Sequence, residues 1–231
     1  VRNDSFFADK WITYYGQQFG LKNLYLFIDG LDQKLPVLAD SINCYPIPHT
    51  KLSRSKGDRK RVLHISKFSH TLFKTYDVVL AMDIDEFLVL DPLQKTSLQA
   101  YLSQEFKSSS LSALGLDVGQ HPLHEAPVDL KQPFLSQRSF AQVSDRYTKP
   151  VVALQPLQWG SGFHRVKGKN FAIDPHLFLF HFGLVDLEQA KQNATNDQLR
   201  SSGWEGHFNR RHQLYEQLKS VPPKEGDSFF R

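Results

Sequence analysis

Apolar positions in the first third of the chain recur with two different periods. In SFFADKWITYYGQQFG, residues Phe7, Trp11, Tyr14 and Tyr15 fall at helical spacing, with Asp4 or Ser5 placed to cap the start and Gly20 to end it. NLYLFIDG switches to a continuous apolar run closed by Asp29 and Gly30, the pattern of a buried strand running into a turn. ISKFSHTLFKTY returns to the helical period with Ile65, Phe68, Leu72 and Tyr76 on one stripe, and YDVVLAMD follows as a second buried strand. Helix, strand, helix, strand predicts an α/β domain with a mixed, largely parallel sheet flanked by helices. Beyond it, short apolar runs (LSALGL, PVVAL, HLFLFHF) alternate with Pro, Gly and Asp, and two polar amphipathic helices are expected over 187–199 and 204–218. No repeat or linker divides the sequence, so a single domain over 1–231 is expected.

One stretch breaks the pattern. In VLAMDIDEFLVLD, three acids, Asp83, Asp85 and Glu86, lie between two apolar runs. If the strand continues through them, Asp83 and Asp85 project to one face at the carboxyl end of the strand, and Glu86 turns to the other side for a structural contact. Two carboxylates so placed suit a hard divalent cation, Mg²⁺ or Mn²⁺, which can in turn hold substrate phosphates. The plainer alternative is that the acids end a strand and cap a turn, although three charges between apolar flanks call for something to neutralise them.

Composition narrows the classes. A chain of 231 residues, 40% apolar, can bury a substantial core. The formal charge of +4 is mild, and much of it sits in KLSRSKGDRKR, with six Lys or Arg and one Asp, read as a solvated loop over 51–61 that could touch a membrane surface. Nucleic acid is not expected, because the run lacks interleaved aromatics. Cys44 is the only cysteine, which excludes an intrachain disulfide and favours a reducing compartment. No apolar stretch reaches the length of a membrane span. The chain opens on Val1 and its only methionine is Met82, so a longer parent chain is expected. The sequon Asn193-Ala194-Thr195 is expected to lie unmodified on a polar helix face.

LAMDIDEFLV resembles the DxD region of GT-A-fold glycosyltransferases, in particular family-2-like bacterial enzymes with the form D-x-D-E-F. VRND, YTKPVV, WGSGFH and FLFHFGLVD resemble further segments of that family in the same order. The resemblance implies a GT-A-like, Rossmann-related sheet, with a nucleotide-binding half at about 1–92 and an acceptor half at about 93–231. It implies Asp85 as direct metal ligand, Asp83 on the metal through water or on the donor ribose, and His181 completing the metal site. Arg2, Asn3, Asp4 and Asp29 would line the nucleotide pocket, with Arg61 near the diphosphate. The activity implied is inverting transfer of a sugar from a nucleotide sugar to a hydroxyl of a glycan or lipid-linked glycan, with Mn²⁺ or Mg²⁺, in bacterial cytoplasm.

Such a transfer needs a base within reach of the acceptor hydroxyl. Asp117, closing the LSALGLD run, is the first candidate and Glu125 in HPLHEAP the second. His164, after Gly160 and Gly162, is assigned to substrate binding because glycine permits close backbone approach. Two other classes stay open. VVLAMDID also resembles the first motif of haloacid-dehalogenase-type phosphatases, with Asp83 as nucleophile, although Phe87 stands where those enzymes expect a smaller residue. A non-catalytic carbohydrate-binding module would use exposed members of the set of 18 Phe, 8 Tyr and 3 Trp.

Overall fold

The computed structural model of the chain describes residues 1–168, 172–195 and 205–222. It divides into two compact units, Val1–Leu116 with Val143–His181, and Asp117–Gln142 with Phe182–Arg231. The first holds helix α1 (Ser5–Phe19), strands β1 (Tyr25–Asp29) and β2 (Asn43–Ile47), helix α2 (Arg54–Leu72), strands β3 (Val79–Leu80) and β4 (Glu86–Leu90), the short helix α3 (Leu98–Leu102) and strand β7 (Lys149–Ala153). Strands β5 (Ser110–Gly119), β6 (Ala141–Val143) and β8 (Ile173–Leu184) run past the boundary along the chain.

The architecture is mixed α/β, and its sheet is mostly antiparallel with flanking helices. β1 and β2 form a parallel pair, while the other strands follow the order β3, β7, β5, β8, β4, with β6 beside β5. β3 with β7, β5 with β7 and β4 with β8 are antiparallel. Parallel pairing occurs in β1 with β2, and the bonds from Ser112 N to the Ala172 carbonyl (2.9 Å) and from Gln120 N to the Leu184 carbonyl (3.0 Å) run β5 and β8 in one direction, but the largely parallel sheet expected from the sequence does not form. That expectation assumed helices recurring between strands. Between β3 and β8 the only α-helix among the described residues is the short α3, so the alternation of helix and strand does not continue there.

α1 forms as its pattern predicts, with Phe7, Ala8, Ile12 and Tyr15 buried and Gly20 (φ 84°) ending it through a bond from its N–H to the Gly16 carbonyl. Asp4 stands at the N-cap position without a side-chain cap bond. The basic stretch differs from expectation: from Arg54 on it is not a loop but the first turns of α2. The apolar positions behind it pull it into the helix. Val62 is buried with Ala81, Ala153, Leu157, Trp159 and Phe163, and Ile65 packs on that cluster. Phe68 meets the rings of Tyr25 and Phe27 edge-on.

The second unit contains the helices α4 (Leu187–Thr195) and α5 (Glu205–Lys219), close to the two expected ones; residues 196–204 lie outside the described set. Asp186 caps α4, accepting from Gln189 N at 2.9 Å, and its other oxygen accepts from Val128 N at 2.9 Å. Asn193 lies within α4, as expected of the sequon. Among the described residues no helix is long and apolar enough to cross a membrane.

Candidate functional site

The acidic loop is placed by register. Val79 pairs with Ala153 and Leu80 with Val152, and Ala81 N continues the ladder to the Val151 carbonyl at 2.9 Å. Counting the same antiparallel register onward brings Asp83 level with Lys149. The chain leaves the ladder there: residues 81–85 form a loop and turn, and β4 starts at Glu86. Asp83 and Asp85 thus sit on a turn between two strands, which replaces the expected alternation along one strand. Two tyrosines of α1 secure the far side of this turn. Tyr15 Oη accepts from Leu88 N at 2.7 Å and Tyr14 Oη donates to the Leu88 carbonyl at 2.6 Å, so β4 is clamped just after the acids.

Asp83 meets two cations. Oδ1 accepts from Arg61 Nη1, and Oδ2 accepts from Lys149 Nζ at 3.3 Å. Lys149 also donates to Oε1 of Glu86. Glu86 Oε2 accepts the main-chain N–H of Asp83 at 3.2 Å. Glu86 therefore does not turn to the opposite side from Asp83, as alternation predicted; the turn brings both carboxylates onto one ammonium. Lys149 is 2% exposed and Glu86 0%. Burial alone would push the Asp83 carboxyl up, but Arg61 and Lys149 outweigh it and hold it below the ordinary aspartate range. Burial likewise opposes charge on Lys149, and Glu86 and Asp83 overcome it, keeping the ammonium protonated above its usual range. Burial raises the Glu86 carboxyl; Lys149 pulls it back without reversing the direction, because Asp83 and Asp85 add to the rise.

Asp85 faces a different partner. Glu86 lies directly opposite His181 in the β4–β8 register, so the residue before it comes within reach of the imidazole: His181 Nε2 is 3.1 Å from Asp85 Oδ2. The ring of Tyr147 stacks on His181 with centroids 3.6 Å apart and planes at 13°. Tyr147 is held by a close backbone approach at Gly115, where an added Cβ would fall 2.2 Å from the Tyr147 carbonyl carbon. Ser144 N donates to the Gly115 carbonyl (2.8 Å) and Gly115 N to Thr148 Oγ1 (3.0 Å), which fixes the turn that delivers Tyr147 and Lys149.

α2 and the WGSGFH segment supply the rim. Arg61, 43% exposed, also donates to Asp58 at 2.7 Å, and Asp58 accepts from Gly162 N at 2.9 Å. The Arg61 guanidinium lies 5.2 Å from the centre of the Phe163 ring. Trp159 anchors this segment, its indole N–H donating to the Pro150 carbonyl at 2.7 Å and its main-chain N–H to Ser66 Oγ at 3.1 Å. Gly162 has φ 63°, and a Cβ there would meet His164 Nε2 at 2.6 Å, so the bare backbone lies against the chain's own imidazole, whereas the approach expected from the sequence was to a ligand. Burial lowers the His164 pKa, and nearby Lys149 lowers it further.

Comparison with protein-family models, with curated proteins and with solved structures gave no match.

The remaining expected residues fall in two places. Arg2 makes a two-point ion pair with Asp32 at 3.0 Å and donates to the Asp29 carbonyl at 2.9 Å. Asn3 N donates to Gln33 Oε1 at 2.7 Å, and Asp29 Oδ2 lies 2.9 Å from His49 Nδ1. This segment runs beside β1, Asp29 N donating to the Val1 carbonyl at 2.7 Å. Asp117 and Glu125 belong to the second unit. Asp117 does not close its strand; β5 continues to Gly119. Glu125 accepts from His121 N (2.7 Å) and Ser139 N (2.6 Å), tying two loops together.

Lys149, Tyr147 and Asp58 carry much of this geometry and had no role assigned from the sequence. The one available signal was Lys149 itself, a charge heading the apolar run PVVA, where it requires a buried partner. Among the described residues no three His, Cys, Asp or Glu side chains stand together in a metal-holding group. Asp85 and His181 could hold a divalent cation as a pair, leaving its other positions to water or phosphate oxygens. The Asp85 side chain is 22% exposed.

Proposed function

We propose that this chain is a metal-dependent glycosyltransferase of GT-A-like fold that moves a sugar from a nucleotide-sugar donor to a hydroxyl of a glycan or lipid-linked glycan. The observation that carries the reading is the turn at residues 83–86, where buried and rim cations fix Asp83 while Asp85 stands beside His181 and partly open. Asp85 and His181 would hold Mn²⁺ or Mg²⁺, which when bound stabilises the charge developing on a departing diphosphate. Arg61 is exposed enough to leave Asp83 and bind a phosphate oxygen, a planar donor suited to it. Arg2, Asn3, Asp4 and Asp29 would border the nucleotide, and His164 the sugar.

The exposed side chains of Lys51, just before α2, and of Lys56, Arg59 and Lys60 in its first turns suit an anionic membrane surface, where a lipid-linked acceptor in bacterial cytoplasm would be met.

A thermal-shift panel of nucleoside diphosphates and nucleotide sugars, with and without Mn²⁺, tests this reading. A ligand at 100 times its Kd stabilises the folded state by about 2.7 kcal/mol. At least one nucleotide should raise Tm, and only with metal. Failure of every nucleotide with Mn²⁺, together with hydrolysis of simple phosphomonoesters, would replace the transferase by a phosphatase using Asp83.

A further inference from the structure

Lys149 is a costly residue to bury. An ion pair sealed from water gives up hydration that its attraction barely returns, and apolar residues of the same volume often serve stability as well or better. Lys149 nonetheless lies under the turn, bonded to both Asp83 and Glu86. Its backbone cannot follow a moving ligand, because it begins β7, whose residues are buried throughout. Arg61, the other partner of Asp83, sits at the rim on a long exposed side chain. One of the two cations on Asp83 is therefore held by a buried strand, and the other reaches it from the rim while also bonded to Asp58.

We infer that Lys149 is the resident counter-cation of the acidic turn: held between Asp83 and Glu86, it withholds these two carboxylates from an incoming divalent ion and confines that ion to Asp85 and His181. This role rests on the reading of the turn as a metal and nucleotide-sugar site. Without Lys149 the carboxylates of Asp83 and Glu86 would add uncompensated negative charge beside Asp85. An ion drawn in by that charge would be held by the protein in the absence of donor. With Lys149 in place, the metal is held by a pair of side chains and depends on donor phosphates for the rest. Lys149 is thus a positioning residue, acting through Asp83 and Glu86.

The distinguishing sign is a gain. Nucleotide-free protein is titrated with Mn²⁺ and free ion is followed by electron paramagnetic resonance, for wild type, Lys149→Met and Lys149→Arg. Lys149→Met should bind Mn²⁺ at least tenfold more tightly than wild type, since a unit charge a few ångström away is worth at least that factor at the effective dielectric of a protein site. Its Tm should rise with Mn²⁺ by more than that of wild type. Lys149→Arg should behave like wild type. A merely structural lysine predicts the reverse, a looser site in Lys149→Met, and unchanged or weaker Mn²⁺ binding overturns the inference. If Lys149→Met fails to fold, Lys149→Met/Glu86→Gln removes the buried pair together and still releases Asp83 from Lys149; it should bind Mn²⁺ about threefold more tightly than wild type, the lost positive charge outweighing the lost negative one, and an unchanged affinity again overturns the role. Absence of any Mn²⁺-dependent nucleotide binding in wild type would instead count against the glycosyltransferase reading, an outcome separate from the change in Mn²⁺ affinity that tests Lys149.

Discussion

His181 and Asp85 meet across a strand boundary, with Nε2 3.1 Å from Oδ2, although they are far apart in sequence. The contact follows from the antiparallel register that sets Glu86 against His181. It gives the first prediction. Asp85→Asn should abolish metal-dependent nucleotide binding while leaving the circular dichroism spectrum and Tm near wild type, because loss of one clustered acid relieves repulsion. His181→Ala should retain binding but raise the Mn²⁺ concentration needed by about tenfold or more. Normal metal dependence in Asp85→Asn would remove the pair from the site.

Tyr147 fixes the imidazole from its flat side. Tyr147→Phe should keep Mn²⁺ affinity within about twofold, since a phenyl ring preserves the stack. Tyr147→Ala leaves a cavity and should cost about 3 kcal/mol in urea denaturation. It should also weaken Mn²⁺ binding by roughly tenfold, as losses of ligand-orienting partners do. Equal Mn²⁺ affinities in the two variants would show that the stack does not orient His181.

Glu86 is the buried partner of Lys149. Removing one member of a buried pair strands the other, so Glu86→Gln should lower unfolding stability by about 3 kcal/mol. Mn²⁺ affinity should weaken by only about threefold, because a nearby negative charge is lost while Asp85 and His181 are untouched. A variant of unchanged stability but lost activity would place Glu86 in the chemistry instead.

The acid side of the stability profile should report Asp83. Its carboxyl is held below the ordinary range in the folded chain, so its contribution is present above the unfolded value of about 3.9 and is lost as pH falls below that toward the lower folded value. The stability difference between wild type and Asp83→Asn should therefore be constant from neutral pH to about pH 5 and shrink below about pH 4. Denaturant midpoints at pH 7, 5 and 3 measure it. A gap that widens on acidification would mean that Arg61 and Lys149 do not hold Asp83 ionised.

Local pattern was enough for several elements. The spacing of Phe7, Trp11, Tyr14 and Tyr15, closed by Gly20, specified α1 because a helix buries one stripe whatever it packs against. The run in NLYLFIDG specified β1 in the same way. The three acids between apolar flanks marked a place where charges had to be answered, which is a statement of desolvation and needs no coordinates.

What answers them was decided by pairing. The sequence cannot show that Val79 lies against Ala153, and that register brings Lys149 level with Asp83 and makes Glu86 its companion instead of its opposite. Nor can it show that Glu86 faces His181, and so that Asp85 meets an imidazole. The basic run looked like a solvated loop until Val62 and Ile65 found Trp159 and Phe163 to pack on. Periodicity records which face of an element is apolar; strand register and long-range packing record what that face meets, and these depend on residues too distant in the chain for any local pattern to encode.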